Sequence, residues 1–252
     1  MTSDAALAAA LAEGAGQILL GLRSGVDEVS GAAGDRLSNE YLLAELATRR
    51  PDDAVLSEEA KDDASRLDAE RVWIIDPLDG TREFAERTDG AWRTDFAVHV
   101  ALWQRGAGLV AGAVALPARG QVFITEPPAV LPDPRGGEVL RLAVSRSRPP
   151  ELVQRIGEVL PVELVGMGSA GVKAMAVVTG EVDAYVHGGG QYEWDSAAPV
   201  AVAAAAGLHT SRLDGSPLVY NNSSPWLPDL VVCRKTDAPR LLAVLAQIEG
   251  GR

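Results

Sequence analysis

The stretch "RVWIIDPLDGTREF" (residues 71–84) decides how this chain is read. Val72 to Ile75 form an apolar run of strand type, and Asp76 ends it. A residue that precedes proline is pushed to extended geometry, so Asp76 belongs to the strand end. Gly80 lets the chain turn, and "TREFAER" predicts a helix with Thr81 at or near its cap. Asp76 and Asp79 then flank one tight turn, and free N–H groups at the helix start suit a phosphate. Taken alone, D-P-L-D-G is also the composition of an ordinary surface turn.

Other carboxylates favour a functional reading. "AVLSEEA" predicts a short strand ending in Glu58 and Glu59, next to 71–76 if the two strands pair. Asp35 sits where the glycine-rich stretch 26–34, expected to be a mobile loop, enters a helix that Pro51 stops. Asp195, in "EWDSAAPVAVAAAAG", is placed at the start of a helix, and Pro199 in the first turns agrees. Carboxylates gathered at element ends repel one another and are tolerated when cations lie between them. Oxygen-only ligands point to a hard ion, Mg²⁺ first and Mn²⁺ as a substitute. His99, His187 and His209 are scattered and have no zinc spacing.

The rest of the chain frames this site. The 252 residues, 47% hydrophobic, can bury a sizeable core. Residues 3–25 predict a capped helix. "DFAVHVALW", "GLVAGAVAL" and "GQVFIT" predict strands. The proline-rich stretch 126–138 is the expected boundary between an α+β unit (1–132) and an α/β unit (133–252) in which strands and helices alternate. A net charge of −12 argues against a nucleic-acid or anionic-membrane partner. The single cysteine, Cys233, fits a reducing, cytoplasmic setting and reads as part of a buried strand. No signal-peptide pattern or uncharged membrane-length run is present.

"SEEA", "WIIDPLDGTREF" and "EWDSAAPVAVAAAAG" together resemble the inositol monophosphatase superfamily of lithium-sensitive, Mg²⁺-dependent phosphatases, in order and spacing over nearly the whole chain. "DGTREF", "AVSRSRP" and "GSAGVKAMAVVTGEVDAYVH" look most like its CysQ-type branch. Those enzymes remove the 3'-phosphate of 3'-phosphoadenosine 5'-phosphate (PAP), or of its phosphosulfate relative, in sulfur assimilation and nucleotide recycling. The resemblance implies an α/β/α/β/α layered sandwich with two or three metal ions between its halves. Glu58, Asp76 and the Leu78 carbonyl would hold the first ion, and Asp76, Asp79 and Asp195 the second. A third, weaker ion would lean on Glu58 and Glu59. Asp35 and Thr81 would orient and deprotonate the attacking water, with Glu59 assisting. Gly80 and Thr81 N–H groups would meet the scissile phosphate. Ser145, Arg146, Ser169 and Lys173 would serve the rest of the substrate, with Tyr192 as an adenine candidate. A homodimer is compatible with the resemblance. The superfamily reads Thr-x-Asp where this chain has Ala33-Gly34-Asp35, and the loop before it lacks the usual lysine.

Rival patterns are incomplete. "WIID" lacks the G-x-x-x-x-G-K-[ST] loop that a nucleotide hydrolase of Walker type needs. "GMGSAG" (166–171) is a literal dinucleotide fingerprint, but no acidic residue ends a strand about 20 residues on. "HGGG" and "MGSAG" approach an esterase pattern, in which Met167 occupies the place of the first elbow glycine. Inositol 1-phosphate and fructose 1,6-bisphosphate are the alternative substrates within the superfamily.

Overall fold

Ser3 caps the first helix, its hydroxyl accepting from the Ala6 N–H at 3.2 Å. The computed structural model describes residues 2–146 and 151–250, with side chains as far as Ile248. Ser147 to Pro150, the end of "AVSRSRP", lie outside them. In chain order the elements are α1 (Asp4–Arg23), α2 (Gly31–Arg49), β1 (Ala54–Ser57), β2 (Arg71–Asp79), α3 (Thr81–Ala85), β3 (Arg87–Thr88), β4 (Ala91–Trp92), β5 (Ala97–Gln104), β6 (Gly108–Leu116) and β7 (Gln121–Ile124). There follow β8 (Leu140–Ser145), α4 (Glu151–Val159), β9 (Val162–Met167), α5 (Ala170–Val178), β10 (Ala184–Tyr192), α6 (Glu193–Ala205), β11 (His209–Ser211), β12 (Trp226–Cys233) and α7 (Ala238–Gly250).

One five-stranded sheet has the order β1-β2-β5-β6-β7, with β1 and β2 parallel and the rest antiparallel. The other has the order β11-β12-β10-β8-β9, with β8 parallel to both of its neighbours. Three apolar clusters define the layers. α1 and α2 cover the outer face of the first sheet. α5 and α6 fill the space between the sheets. α4 and α7 cover the outer face of the second. The result is the α/β/α/β/α sandwich expected. α1 is apolar and long enough to cross a bilayer, yet Leu7, Leu11 and Leu19 are buried against the first sheet and it serves as a core helix.

The strand period aims the site. Trp73 and Ile75 of β2 face α1 and α2, whereas Val72 and Ile74 face the middle layer. Asp76 shares their parity and faces inward. β2 does not stop there, as the sequence suggested, but runs on to Asp79 with a register shift between Asp76 and Asp79 against β5. Pro77, which has no N–H for the ladder, sits in that shift. Leu78 therefore packs outward and Asp79 returns inward. A regular strand would have placed Asp76 and Asp79 on opposite faces.

Stretch 26–34 also departs from expectation. α2 begins at Gly31, capped by the Ser30 hydroxyl, so only its first part is loop and Asp35 lies inside the helix. The glycines serve packing. A Cβ on Gly31 would come within 2.5 Å of Thr81 Cγ2, and one on Gly34 within 2.8 Å of the Phe84 ring. Close approach of α2 to α3 is what carries Asp35 to Thr81.

Arg23 ties α3 to the first layer. Its guanidinium donates to the carbonyls of Phe84 (2.9 Å), Glu83 (3.1 Å) and Arg93 (2.8 Å) and lies over the rings of Phe84, Phe96 and Trp92. Replacing it strands buried carbonyls, each worth about 1–3 kcal/mol when unsatisfied. Arg23→Met is expected to lower stability by at least about 2 kcal/mol in urea unfolding, and an unchanged midpoint would refute this anchoring role.

Candidate active site

Carboxylate oxygens of Asp76, Asp79 and Asp195 lie within 4.8 Å of one another. Two come from β2 and the third from the first turn of α6. That helix starts at Glu193, two residues before the expected point, and Asp195 accepts from the Tyr192 N–H at 2.6 Å. The Asp195 carboxyl is thereby fixed at the N-terminal end of α6, where the helix dipole favours negative charge. β1 pairs with β2 in parallel and ends at Ser57, so Glu58 follows in the turn, its N–H reaching Ile75 O at 3.4 Å. This pairing brings Glu58 against Asp76. Glu59 is exposed beside it.

The cluster's electrostatics fit a hard cation. Burial holds Asp76 well above the usual carboxylate range, and Asp79, Glu58 and Asp195 add repulsion. Burial raises Asp195 to about 6, with Asp79 next in effect. Burial, then the charges of Asp195, Asp79 and Glu59, raises Glu58 to about 7. Asp79 goes the other way: burial pushes it up, but His99, the Ser169 hydroxyl and the Gly171 N–H outweigh it and hold it below its ordinary value. A divalent ion would relieve the repulsion among the others, and oxygen donors of this kind suit Mg²⁺ or Mn²⁺.

Asp35 Oδ1 accepts from the Thr81 hydroxyl at 3.1 Å, and that hydroxyl also lies 3.2 Å from the Leu78 carbonyl oxygen. Burial raises Asp35 to about 6, although the Thr81 bond opposes the shift. Gly80, not Thr81, caps α3, with φ of 92°. A Cβ there would crowd the backbone of Asp95 and Phe96 at 3.3 Å.

A cavity of about 930 Å³ opens from the acidic cluster, lined in part by Gly80, Ser145, Ser169, Lys173 and Tyr192. Ser169 caps α5 and donates to Asp79 Oδ2 at 2.5 Å. Lys173 is buried, its Nζ 5.3 Å from the Tyr185 ring centroid, and burial lowers its pKa against the pull of Asp79 and Glu83. Tyr192 is exposed at the rim and stacks on Trp194 at 4.8 Å. Arg146 instead lines an adjoining cavity of about 370 Å³ and pairs with Asp95, whose other contacts are Arg93 and the Gly168 N–H. The second and third "GMGSAG" glycines are packing positions: a Cβ on Gly168 would strike Glu83 at 2.4 Å, and one on Gly171 would strike His99 Nε2 at 2.1 Å.

Sequence reasoning passed over His99 and Asp95. His99 was set aside for lacking zinc spacing, yet its Nε2 lies 3.3 Å from Asp79 Oδ2. Its place in "AVHVA", a polar residue inside an apolar strand, was the available signal.

Residues 4–249 match the inositol monophosphatase family. The chain belongs to this family. It is 56% identical to the 3'-phosphoadenosine 5'-phosphate phosphatase of Mycobacterium leprae, over 98% of this chain and 94% of that one. It is 30% identical to the Escherichia coli 3'(2'),5'-bisphosphate nucleotidase CysQ, over 86% of this chain and 94% of that one. The crystal structure of CysQ from Bacteroides thetaiotaomicron superposes with a TM-score of 0.76 at 28% identity, covering 91% and 96% of the two chains. Enzymes of the family are metal-dependent phosphatases, which agrees with the buried acidic cluster.

Metal-free stability should follow the raised carboxyls. A group that binds its proton more tightly when folded adds stability as pH falls towards its unfolded pKa. Glu58 (about 7), Asp195 and Asp35 (both about 6) act in this sense. His187 and His209, lowered by burial, oppose it. In chelator the melting temperature is expected to be higher at about pH 5.5 than at about pH 7.5. Mg²⁺ is expected to raise it more at the higher pH, because ligands must be ionised to bind. A Mg²⁺ effect that is equal at both pH values would contradict this.

Proposed function

We propose that this protein is a phosphoric monoester hydrolase that removes the 3'-phosphate of 3'-phosphoadenosine 5'-phosphate, giving AMP and inorganic phosphate. The observation that carries it is the agreement of 54–56% with the mycobacterial phosphatases of that name over 92–98% of the chain. The site has the parts this reaction needs. A cavity of about 930 Å³ has room for a nucleotide and adjoins the carboxylate cluster.

In this reading Glu58, Asp76, Asp79, Asp195 and the Leu78 carbonyl hold two or three Mg²⁺ ions, with Glu59 beside the third. When bound, these ions neutralise phosphate charge and supply Lewis-acid polarisation. Asp35 accepts a proton through Thr81. Its carboxyl, raised to about 6, is ionised at neutral pH yet remains a useful base. Gly80 and Thr81 N–H groups meet the scissile phosphate. Ser169, already bonded to Asp79, keeps the floor of the cavity in place. Lys173 and Ser145 face the second phosphate. Arg146 supports them through Asp95 and the Gly168 N–H rather than by facing the main cavity. Tyr192 offers the adenine a ring at the rim. Residues 1–132 thus carry most metal ligands, and 133–252 carry Asp195 and the substrate contacts. A homodimer, with which the family resemblance is compatible, and a cytoplasmic setting, which the lone free Cys233 fits, complete the proposal.

With Mg²⁺, kcat/KM for PAP is expected to exceed that for inositol 1-phosphate and fructose 1,6-bisphosphate by at least about tenfold. Equal or better hydrolysis of inositol 1-phosphate would overturn the nucleotide assignment. Asp79→Asn is expected to lower turnover by about a hundredfold or more while the fold is retained by circular dichroism. Activity near the unaltered level would reject the cluster as the catalytic centre.

A further inference from the structure

His99 is fully buried on β5, in register with Asp76 of β2. Its parity with Ala97 and Ala101 points it into the middle layer, towards α6. There its Nδ1 lies 3.9 Å from Asp76 Oδ2, and it makes two closer polar approaches. Nδ1 lies 3.1 Å from the carbonyl oxygen of Trp194, and Nε2 lies 3.3 Å from Asp79 Oδ2. A carbonyl only accepts, so Nδ1 carries a proton. Nε2 faces the Asp79 carboxylate at ion-pair distance and meets no hydrogen-bond partner among the described residues, so its interaction with Asp79 is electrostatic. The ring thus spans from Asp79 on the first sheet to the residue immediately before Asp195 on α6. Space for it exists because residue 171 is glycine, since a Cβ there would fall 2.1 Å from Nε2. The Gly171 N–H meanwhile donates to the same Asp79 Oδ2 at 2.7 Å.

We propose that His99 is a positioning residue for the metal site, holding Asp79 and the start of α6 at the separation at which Asp79 and Asp195 can share an ion. Mutually repelling carboxylates on separate elements would otherwise spread apart, and a ligand held in place loses less freedom when the ion binds. The inference rests on the metal-dependent reading of the site but not on the identity of the substrate.

A metal titration without substrate separates the two. Mn²⁺ binding to the full-length protein is measured by calorimetry, alongside the melting temperature in chelator and the Mg²⁺ dependence of turnover. His99→Leu keeps much of the volume and loses both polar contacts. It is expected to weaken Mn²⁺ binding by about tenfold or more. Turnover should recover towards the unaltered value at saturating Mg²⁺, with KM for substrate little changed. His99→Gln, which keeps an amide donor for one of the two partners, should fall between, and it carries the test if the leucine variant does not fold. A purely structural histidine predicts a lower melting temperature with Mn²⁺ affinity unchanged, and that result in either folded variant overturns the proposal. Absence of Mn²⁺ binding by the unaltered protein would overturn the metal reading itself, and this inference with it.

Discussion

Two buried carboxylates, Asp76 and Asp79, and the half-buried Asp195, held within 4.8 Å of one another, are the constraint on which this molecule turns. Negative groups so placed repel strongly in a low-dielectric interior. The fold meets the repulsion by fixing the acids on two rigid elements, β2 and α6, and by surrounding them with donors. Asp79 receives the Ser169 hydroxyl and the Gly171 N–H, Asp76 the Leu78 N–H at 3.0 Å, and Asp195 the Tyr192 N–H. What these donors leave uncompensated is negative charge facing a cavity, which is the condition for binding a cation and, through it, a phosphate.

The layered architecture explains why such a cluster survives. β2 is covered on its outer face by α1 and α2 and on its inner face by the α5–α6 layer. Its backbone therefore has little freedom to relax away from the charges. Arg23 performs the matching task for α3, gathering the carbonyls of Glu83, Phe84 and Arg93 so that Gly80 and Thr81 stay beside the acids. Asp95, held near a pKa of about 2 because Arg146, the Gly168 N–H and Arg93 outweigh its burial, links the turn before α5 to the β-rich half.

Much of this was legible. The D-P-L-D-G-T run carried Asp76, Asp79 and Thr81, since a pre-proline residue must be extended and a glycine permits the following turn. The apolar run Val72–Ile75 predicted a core strand, and the W-D-S-A-A run placed Asp195 at a helix start. Other features were not legible, for a common reason. Gly31 and Gly34 suggested a loop, but they are helical and small because Thr81 and Phe84 press on them. Arg146 suggested an anion cradle, and its pairing with Asp95, far away in sequence, could not be foreseen from the local pattern. His99 carried only the signal of a polar residue in an apolar strand, because its partners Trp194 and Asp79 lie on other elements. Local pattern reports what a residue can do with its neighbours in the chain and says little about partners brought in by packing.

By itself, then, the sequence determined the family, the carboxylate inventory and the layered class. The inventory depends on residue type and short-range sterics, whereas the family and the layered class came from the resemblance of the motifs to known phosphatases. Tertiary structure alone decided the facing of the site. The register shift at Pro77 turns Asp79 to the same side as Asp76, the start of α6 delivers Asp195 to them, and His99 lies between Asp79 and that helix start. Such placements follow from which surfaces bury one another. That is a property of the whole packed chain, because an approach of 3–5 Å between distant segments is set by every layer stacked behind them.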